Sequence, residues 1–352
     1  MALAISCSAG DDIVFSFEDR ASIDFFPESY QLHDGETVID SLTGVIDLVI
    51  KDCGLLLSSV SGDSGYVSAY SYDGKEYQGS LFEKGRAGGE FLSPKSFGAL
   101  GLTNGPHNSI GCTVDGNGDL IRIDFAQSFE SGHPVFEVFW TKPTVQAPKM
   151  FVIDSSKILV KDIDRYFTGF DRYVINSDRG ISSIPDIDGI ARARVGDDSR
   201  VNVLTTLLAY NANSGIAVEA GVQVGAIHLY SLSGDFAKTL IISHEANVSD
   251  VLRQADSKIR DQFVHLCAYD DFFAAMYCNA TEREQASGLV RQSVLVFDWD
   301  GHPLCRYNLD IQASSFDFDI GRQRLYVLDP MDERIVSYCL SDMWPVPTSK
   351  DV

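Results

Sequence analysis

The sequence predicts an all-β fold, a single six-bladed β-propeller of four-stranded antiparallel blades whose ring is closed by an N-terminal strand. Three observations predict it. One strand-and-turn pattern recurs along the chain, each recurrence is preceded by two more strand-like runs, and the recurrences are spaced by about the length of a blade.

The pattern is an alternation of apolar residues with an aromatic, ending in a turn. It reads Tyr66-Val-Ser-Ala-Tyr-Ser-Tyr-Asp-Gly74, then Ile227-His-Leu-Tyr-Ser-Leu-Ser-Gly234, Val294-Leu-Val-Phe-Asp-Trp-Asp-Gly301 and Ile335-Val-Ser-Tyr-Cys-Leu-Ser-Asp342. Alternation that runs into Asp-Gly or Ser-Gly is a strand entering a hairpin. Weaker copies at Leu120–Phe125 and Tyr173–Asp178 fill the long interval between the first two. From Tyr70 to Tyr338 the six copies step by about 54 residues.

A second strand precedes each copy, at 54–60, 109–114, 157–161, 215–219, 272–277 and 324–328. The innermost strand precedes that one, at 45–50, 97–102, 150–153, 202–208, 263–268 and 316–320. Outer strands follow, as at 77–82 and 303–308. The last unit stops after its third strand, and an unpaired edge is an aggregation hazard. The run Ile13–Phe17 is therefore expected to pair with 335–340 and close the ring. One short amphipathic helix is expected over 249–260. The chain divides into a spacer over 1–12, the ring over 13–345 and a tail over 346–352.

Lys plus Arg number 28 against 50 Asp plus Glu, a net charge of −22 spread along the chain. Such a surface repels phosphate backbones and anionic headgroups, which excludes nucleic acid as a partner. Cys7, Cys53, Cys112, Cys267, Cys278, Cys305 and Cys339 form no C-x-x-C and no zinc spacing. They read as small buried hydrophobes. No run approaches the length of a membrane span. Leu3-Ala-Ile-Ser-Cys7, followed by Ser8-Ala-Gly-Asp-Asp12, reads as the end of a lipoprotein signal and its acidic spacer. Contact with a membrane is then expected only through a lipid anchor on Cys7.

Chemical motifs are sparse. Asp115-Gly-Asn-Gly-Asp119 begins like a calcium loop, but Leu120 and Ala126 stand where that loop needs Gly and Glu, so it reads as a hairpin turn. Gly62-Asp-Ser-Gly65 lacks the final Gly of a nucleophile elbow. No metal or cofactor is expected. Gly85-Arg-Ala-Gly-Gly-Glu-Phe-Leu-Ser-Pro94 crosses from the rim of one blade to the centre of the next. Gly85, Arg86, Gly88, Gly89, Glu90 and Phe91 are expected to pack between blades there. Polar residues where inner strands begin, Lys95, Ser96, Lys149, Asn202, Gln262, Ser314 and Ser315, are the candidate ligand contacts at the mouth of the central channel.

The segment Gly85–Pro94 resembles the G-R-G-x-G-E-F-x-x-P segment of NHL-like and TolB-like propellers, with Ala87 in place of a glycine. The chain is similar to the TolB-like six-bladed propeller lipoproteins of Gram-negative gut anaerobes. That resemblance implies a lipidated Cys7, an export signal that includes Asp11 and Asp12, and a periplasmic or outer-membrane location. It implies little chemistry. The expected function is a non-catalytic binding or scaffold propeller of the cell envelope, its partner an envelope protein, a peptide or a glycan. The alternative is a metal-dependent hydrolase or lactonase with its site in the channel, which would need carboxylates, amides or imidazoles from several blades to converge.

Overall fold

A computed structural model describes residues 13–344 apart from 61–64, 103–107, 143–148, 179 and 197. Six antiparallel blades form one ring. Blade 1 holds Val45–Lys51, Gly54–Ser59, Val67–Tyr70 and Tyr77–Leu81, from centre to rim. Blade 3 holds Lys149–Asp154, Lys157–Ile163, Phe170–Asn176 and Ile181–Ser183. Blade 4 holds Thr206–Asn211, Ile216–Gly221, Ala226–Ser231 and Ala237–Ile241. Blade 5 holds Arg260–Ala268, Phe272–Thr281, Ser293–Asp298 and Pro303–Asn308. Blade 6 holds Ser315–Asp319, Arg324–Asp329 and Arg334–Cys339, and its outer strand comes from the N-terminus. The recurring aromatics Tyr230, Phe297 and Tyr338 are buried between blades, which is why the alternation is regular enough to read.

Blade 2 departs from the plan. Its three described strands are Ile110–Val114, Leu120–Asp124 and Phe136–Trp140. The expected inner strand over 97–102 is instead a tight turn, with the Leu102 amide donating to the Phe97 carbonyl at 3.1 Å. The turn still fills the inner position, because the Leu100 carbonyl accepts from the Cys112 amide at 2.6 Å. Gly101 makes this possible. Its φ is +59°, and a Cβ there would stand 1.7 Å from the Met150 carbonyl oxygen of blade 3. The 202–208 run is likewise split, as a 3-10 turn over Asp198–Leu204 and then the strand Thr206–Asn211. The helix expected over 249–260 shrinks to Val248–Leu252, with a 3-10 turn at Asp256–Lys258. A helix not foreseen, Phe125–Ser131, is capped by Asp124, whose side chain accepts from the Gln127 amide.

An N-terminal strand closes the ring, but not the one expected. Glu36–Ile39 pairs antiparallel with Arg334–Cys339, placing Ile39 opposite Ile335. Upstream, Arg20–Ser22 adds in parallel to the outer strand of blade 4, and Glu28–Gln31 does the same on blade 5. Residues 20–39 thus form a strap around half the rim. Ile13–Phe17 is not a strand. Phe15 and Phe17 plug the cleft between blades 3 and 4, with the Phe15 ring 4.9 Å from His228 and the Phe17 amide donating to Thr239 Oγ1 at 2.9 Å. The closing strand Glu36–Ile39 lies a short step before the first inner strand at Val45, and residues 20–31 between it and Phe17 are taken up by the rims of blades 4 and 5.

Candidate functional site

The inner strands surround a central cavity of about 140 Å³, lined among others by Asp47, Ser96, Phe97, Lys149, His265 and Ser314. Asp47 is its organising group. It sits on the inner strand of blade 1 at 2% exposure. Its carboxylate accepts from the Leu48 amide at 2.9 Å, the Phe97 amide at 2.8 Å and Ser315 Oγ at 2.5 Å, and contacts His265 Nε2 at 3.0 Å. One side chain therefore ties blades 1, 2, 5 and 6 together. Burial alone would raise its pKa; His265, Ser315 and the Phe97 amide outweigh that and hold it below the ordinary value. Half-buried Lys149 completes the lining. Burial lowers its pKa against the opposing pull of Glu219 and Asp47.

A second buried cluster braces blades 3 and 4. Glu219 is fully buried and accepts from Arg172 Nε at 2.5 Å and Nη2 at 2.8 Å, and from the Tyr230 hydroxyl at 2.9 Å. Lys161 Nζ lies 3.2 Å away, and Thr206 Oγ1 donates to the same carboxylate. Burial opposes ionisation, but Arg172 and Lys161 win and hold the Glu219 carboxyl well below its ordinary pKa. A third acid, Asp317 of blade 6, accepts from the Ile50 amide at 2.7 Å and the Tyr269 hydroxyl at 2.5 Å.

Chemically, the channel contains one arrangement that invites a catalytic reading. Cys267 Sγ is 3.5 Å from His265 Nδ1, and His265 Nε2 faces Asp47. The thiol is fully buried, however, and donates to the Phe316 carbonyl at 3.3 Å. Burial and the Asp317 charge push its pKa far up, so it holds its proton. Ser315 Oγ lies 3.2 Å from the imidazole nitrogen that faces Asp47, so this ring is held as part of the inter-blade brace. The cysteines yield a direct expectation. Native alkylation should label Cys339 first among the described thiols, since it is exposed and its pKa is lowered by Ser341. Cys112, Cys267 and Cys305 should react only on unfolding, read by peptide mass mapping; early labelling of Cys267 would contradict this channel geometry.

The donor set does not suit a hard metal ion. Asp47 is the cavity's one carboxylate among the described residues, both of its oxygens are already hydrogen-bonded, and the Lys149 ammonium lines the same space. The one described group with metal-compatible spacing, Asp298, Asp300 and His302, lies in a rim hairpin away from the channel.

The predicted ligand residues separate. Ser96, Lys149 and Ser314 line the cavity, and Ser315 lies directly behind Asp47. Lys95 is turned away, its ammonium 5.9 Å from the Phe91 ring. Asn202 lies in another depression, with Arg200, Gln223 and Glu282. Gln262 is fully buried near the start of the inner strand of blade 5, donating to Glu245 at 2.6 Å and accepting from Ser243 Oγ at 3.0 Å. In the crossing segment, Phe91 stacks on Phe82 at 5.0 Å, Glu90 accepts from the Ala87 amide at 2.8 Å, and the Gly89 amide donates to Asp115 at 3.3 Å. A Cβ on Gly85 would collide with the Glu90 carboxylate and one on Gly89 with the Phe136 ring; the Arg86 backbone and Gly88 lie against the blade 2 hairpin at Gly116 and Asp115. Asp115–Asp119 is that hairpin, with Gly118 at φ +88°. Cys7 lies outside the described residues.

Sequence reasoning missed Asp47, Lys161, Arg172, Glu219 and His265. A signal was present: each is a charged or titratable residue interrupting an apolar strand, as in Val45-Ile-Asp-Leu-Val-Ile-Lys51 and Phe263-Val-His-Leu266. It also missed a rim groove of about 660 Å³ between blades 4 and 5, because its walls come from segments more than two hundred residues apart.

No family model and no curated protein matches the chain. Solved structures do match in fold. A member of the DUF4221 family from Bacteroides vulgatus aligns over 88% of this chain and 94% of its own, at 9% identity and a TM-score of 0.53. A regucalcin from Agrobacterium tumefaciens, described as a calcium-binding protein, aligns over 88% and 94% at 10% identity and a TM-score of 0.46. A gluconolactonase from Xanthomonas campestris aligns over 86% and 87% at 14% identity and a TM-score of 0.44. The chain is a six-bladed propeller, and likeness at these identities concerns the fold alone.

Proposed function

We propose that the chain is a non-catalytic binding propeller of the bacterial cell envelope, exported and held to a membrane by a lipid on Cys7. One observation carries the binding half of this reading. In the channel Asp47, His265 and Ser315 are committed to bracing blades, around a cavity well below the roughly 300–1,000 Å³ of ligand pockets. The rim groove falls inside that range. The envelope half rests on Leu3–Cys7, the acidic spacer and the likeness to TolB-like lipoproteins. Cys7 is close to Ile13, and fully extended chain between them reaches about 20 Å, so a lipid there would keep blade 4 beside the bilayer.

Two experiments test the reading. With its upstream reading frame restored and a fatty-acid analogue supplied, the protein should take up label and the Cys7→Ala variant should not; label retained in that variant overturns the anchor. The purified ring, assayed on lactones and esters with divalent metals added, should show no turnover above buffer. Turnover abolished by Asp47→Asn would replace the binder with a metal-dependent hydrolase acting in the channel.

A further inference from the structure

The groove between blades 4 and 5 is a concave site of about 660 Å³ walled by three separate segments. One wall is the strap, with Arg20, Ser22 and Asp24; the other is blade 5, with Tyr277 and Asn279; the connection Ile241–Val248 lies between them. Its aliphatic surface comes from Ile13, Val14, Ile241 and Ile242. Polar and apolar surface are thus interleaved, and Arg20 and Asp24 offset each other in charge.

Two side-chain amides are held in fixed orientations. Asn247 Oδ1 caps the helix Val248–Leu252, accepting from the Ser249 amide at 2.8 Å and the Asp250 amide at 3.4 Å. Asn279 Oδ1 accepts from Arg260 Nε at 2.9 Å and Gln262 Nε2 at 3.4 Å. In each case the oxygen is committed to the protein, which leaves the NH₂ to donate to a ligand. Behind them buried Gln262 joins Ser243, Glu245 and Asn279 into one network. Gly225 closes the packing: a Cβ there would stand 1.9 Å from Ser243 Oγ. Rigid amide donors supported by a buried network are the arrangement of a preorganised binding site.

We infer that this groove binds a neutral oligosaccharide, an inference that rests on the binding-propeller reading and names its site and ligand class. Sugar hydroxyls both donate and accept, which suits a groove offering amide N–H groups on two sides with serine and aspartate oxygens opposite. Tyr277 and the aliphatic residues suit the apolar face of a pyranose ring. The chain's charge of −22 disfavours an anionic glycan.

The test uses the whole chain and immobilised neutral hexasaccharides of glucose, xylose and N-acetylglucosamine, with hexagalacturonate and an uncharged decapeptide as comparators. Asn247→Asp keeps the helix cap and Asn279→Asp keeps the acceptor for Arg260, while each replaces an N–H donor with an oxygen. At least one neutral hexasaccharide should bind, and each substitution should weaken it by about tenfold or more at unchanged melting temperature. Undiminished binding in both variants overturns the groove assignment and leaves the binding reading standing. Capture of hexagalacturonate or the peptide alone overturns the ligand class, and so does silence across the neutral panel. Hydrolysis of lactones or esters would instead count against the binding reading itself.

Discussion

A chain that begins at Ser41, and so lacks the whole strap, should fail to form a stable monomeric ring. Removing Glu36–Ile39 uncovers the backbone of Arg334–Cys339 along the edge of blade 6. Removing Leu32, which is 2% exposed, opens the core beneath blade 5. Closure is shared by every blade, so the expected outcome is aggregation. A synthetic peptide spanning residues 26–42, added during refolding, should restore a soluble ring by supplying the missing strand. A chain that begins at Glu18 should behave differently. It loses the buried rings of Phe15 and Phe17, each worth about 3–5 kcal/mol when truncated, yet it keeps the closing strand and should unfold in one transition at reduced stability. Light scattering and denaturant titration distinguish these outcomes. A strapless monomer with wild-type stability would show that the ring is held by its inner strands alone.

The second large effect is expected at Glu219. Glu219→Ala should cost about 3–5 kcal/mol, because it leaves Arg172 buried without its counter-charge. Replacing the pair together, Glu219→Met with Arg172→Leu, should cost clearly less than the single change. The pH dependence has a defined sign. The carboxyl is depressed in the folded chain, so its stabilisation is fully present above its unfolded value of about 4.3 and is lost as pH falls through the folded value. The gap between wild type and Glu219→Gln in denaturant midpoint should therefore be widest near neutrality and close in acid. A gap that stays constant below pH 4 would mean that the pair contributes shape and not charge.

Where each strand presents one face to a neighbouring blade, the architecture was legible. The second and third strands of the blades are packed on both sides, as in Gly54–Ser59 and Ala226–Ser231, so they read as short apolar runs that end in turn residues. The strap was not legible. Glu28-Ser-Tyr-Gln31 and Glu36-Thr-Val-Ile39 are rim strands whose outer faces meet water, so they carry charge and little periodicity. Ile13–Phe17 alternates for a different reason, since its two phenylalanines fill a cleft, and periodicity alone cannot tell a plug from a strand. Blade 2 misled for a related reason: Phe97, Leu100 and Leu102 are buried like strand residues but belong to a turn held by Gly101.

The site was less legible than the fold. Lys149, Ser96 and Ser314 could be placed at the channel because strand starts converge there in any propeller. Gln262 could not be placed, since the inner strand Arg260–Ala268 is long and joins the cavity lining only at Val264, His265 and Leu266. Asp47 and His265 come together across 218 positions, and Ile13 meets Ser249 across 236. No local pattern encodes those meetings.

Hydrogen–deuterium exchange in the presence of a bound hexasaccharide separates a rim groove that binds from a channel that braces. Protection should appear in peptides covering 13–24, 241–248 and 277–279, and exchange should be unchanged over 45–50, 263–267 and 314–317. Protection confined to the channel segments, with the groove unaffected, would contradict the account.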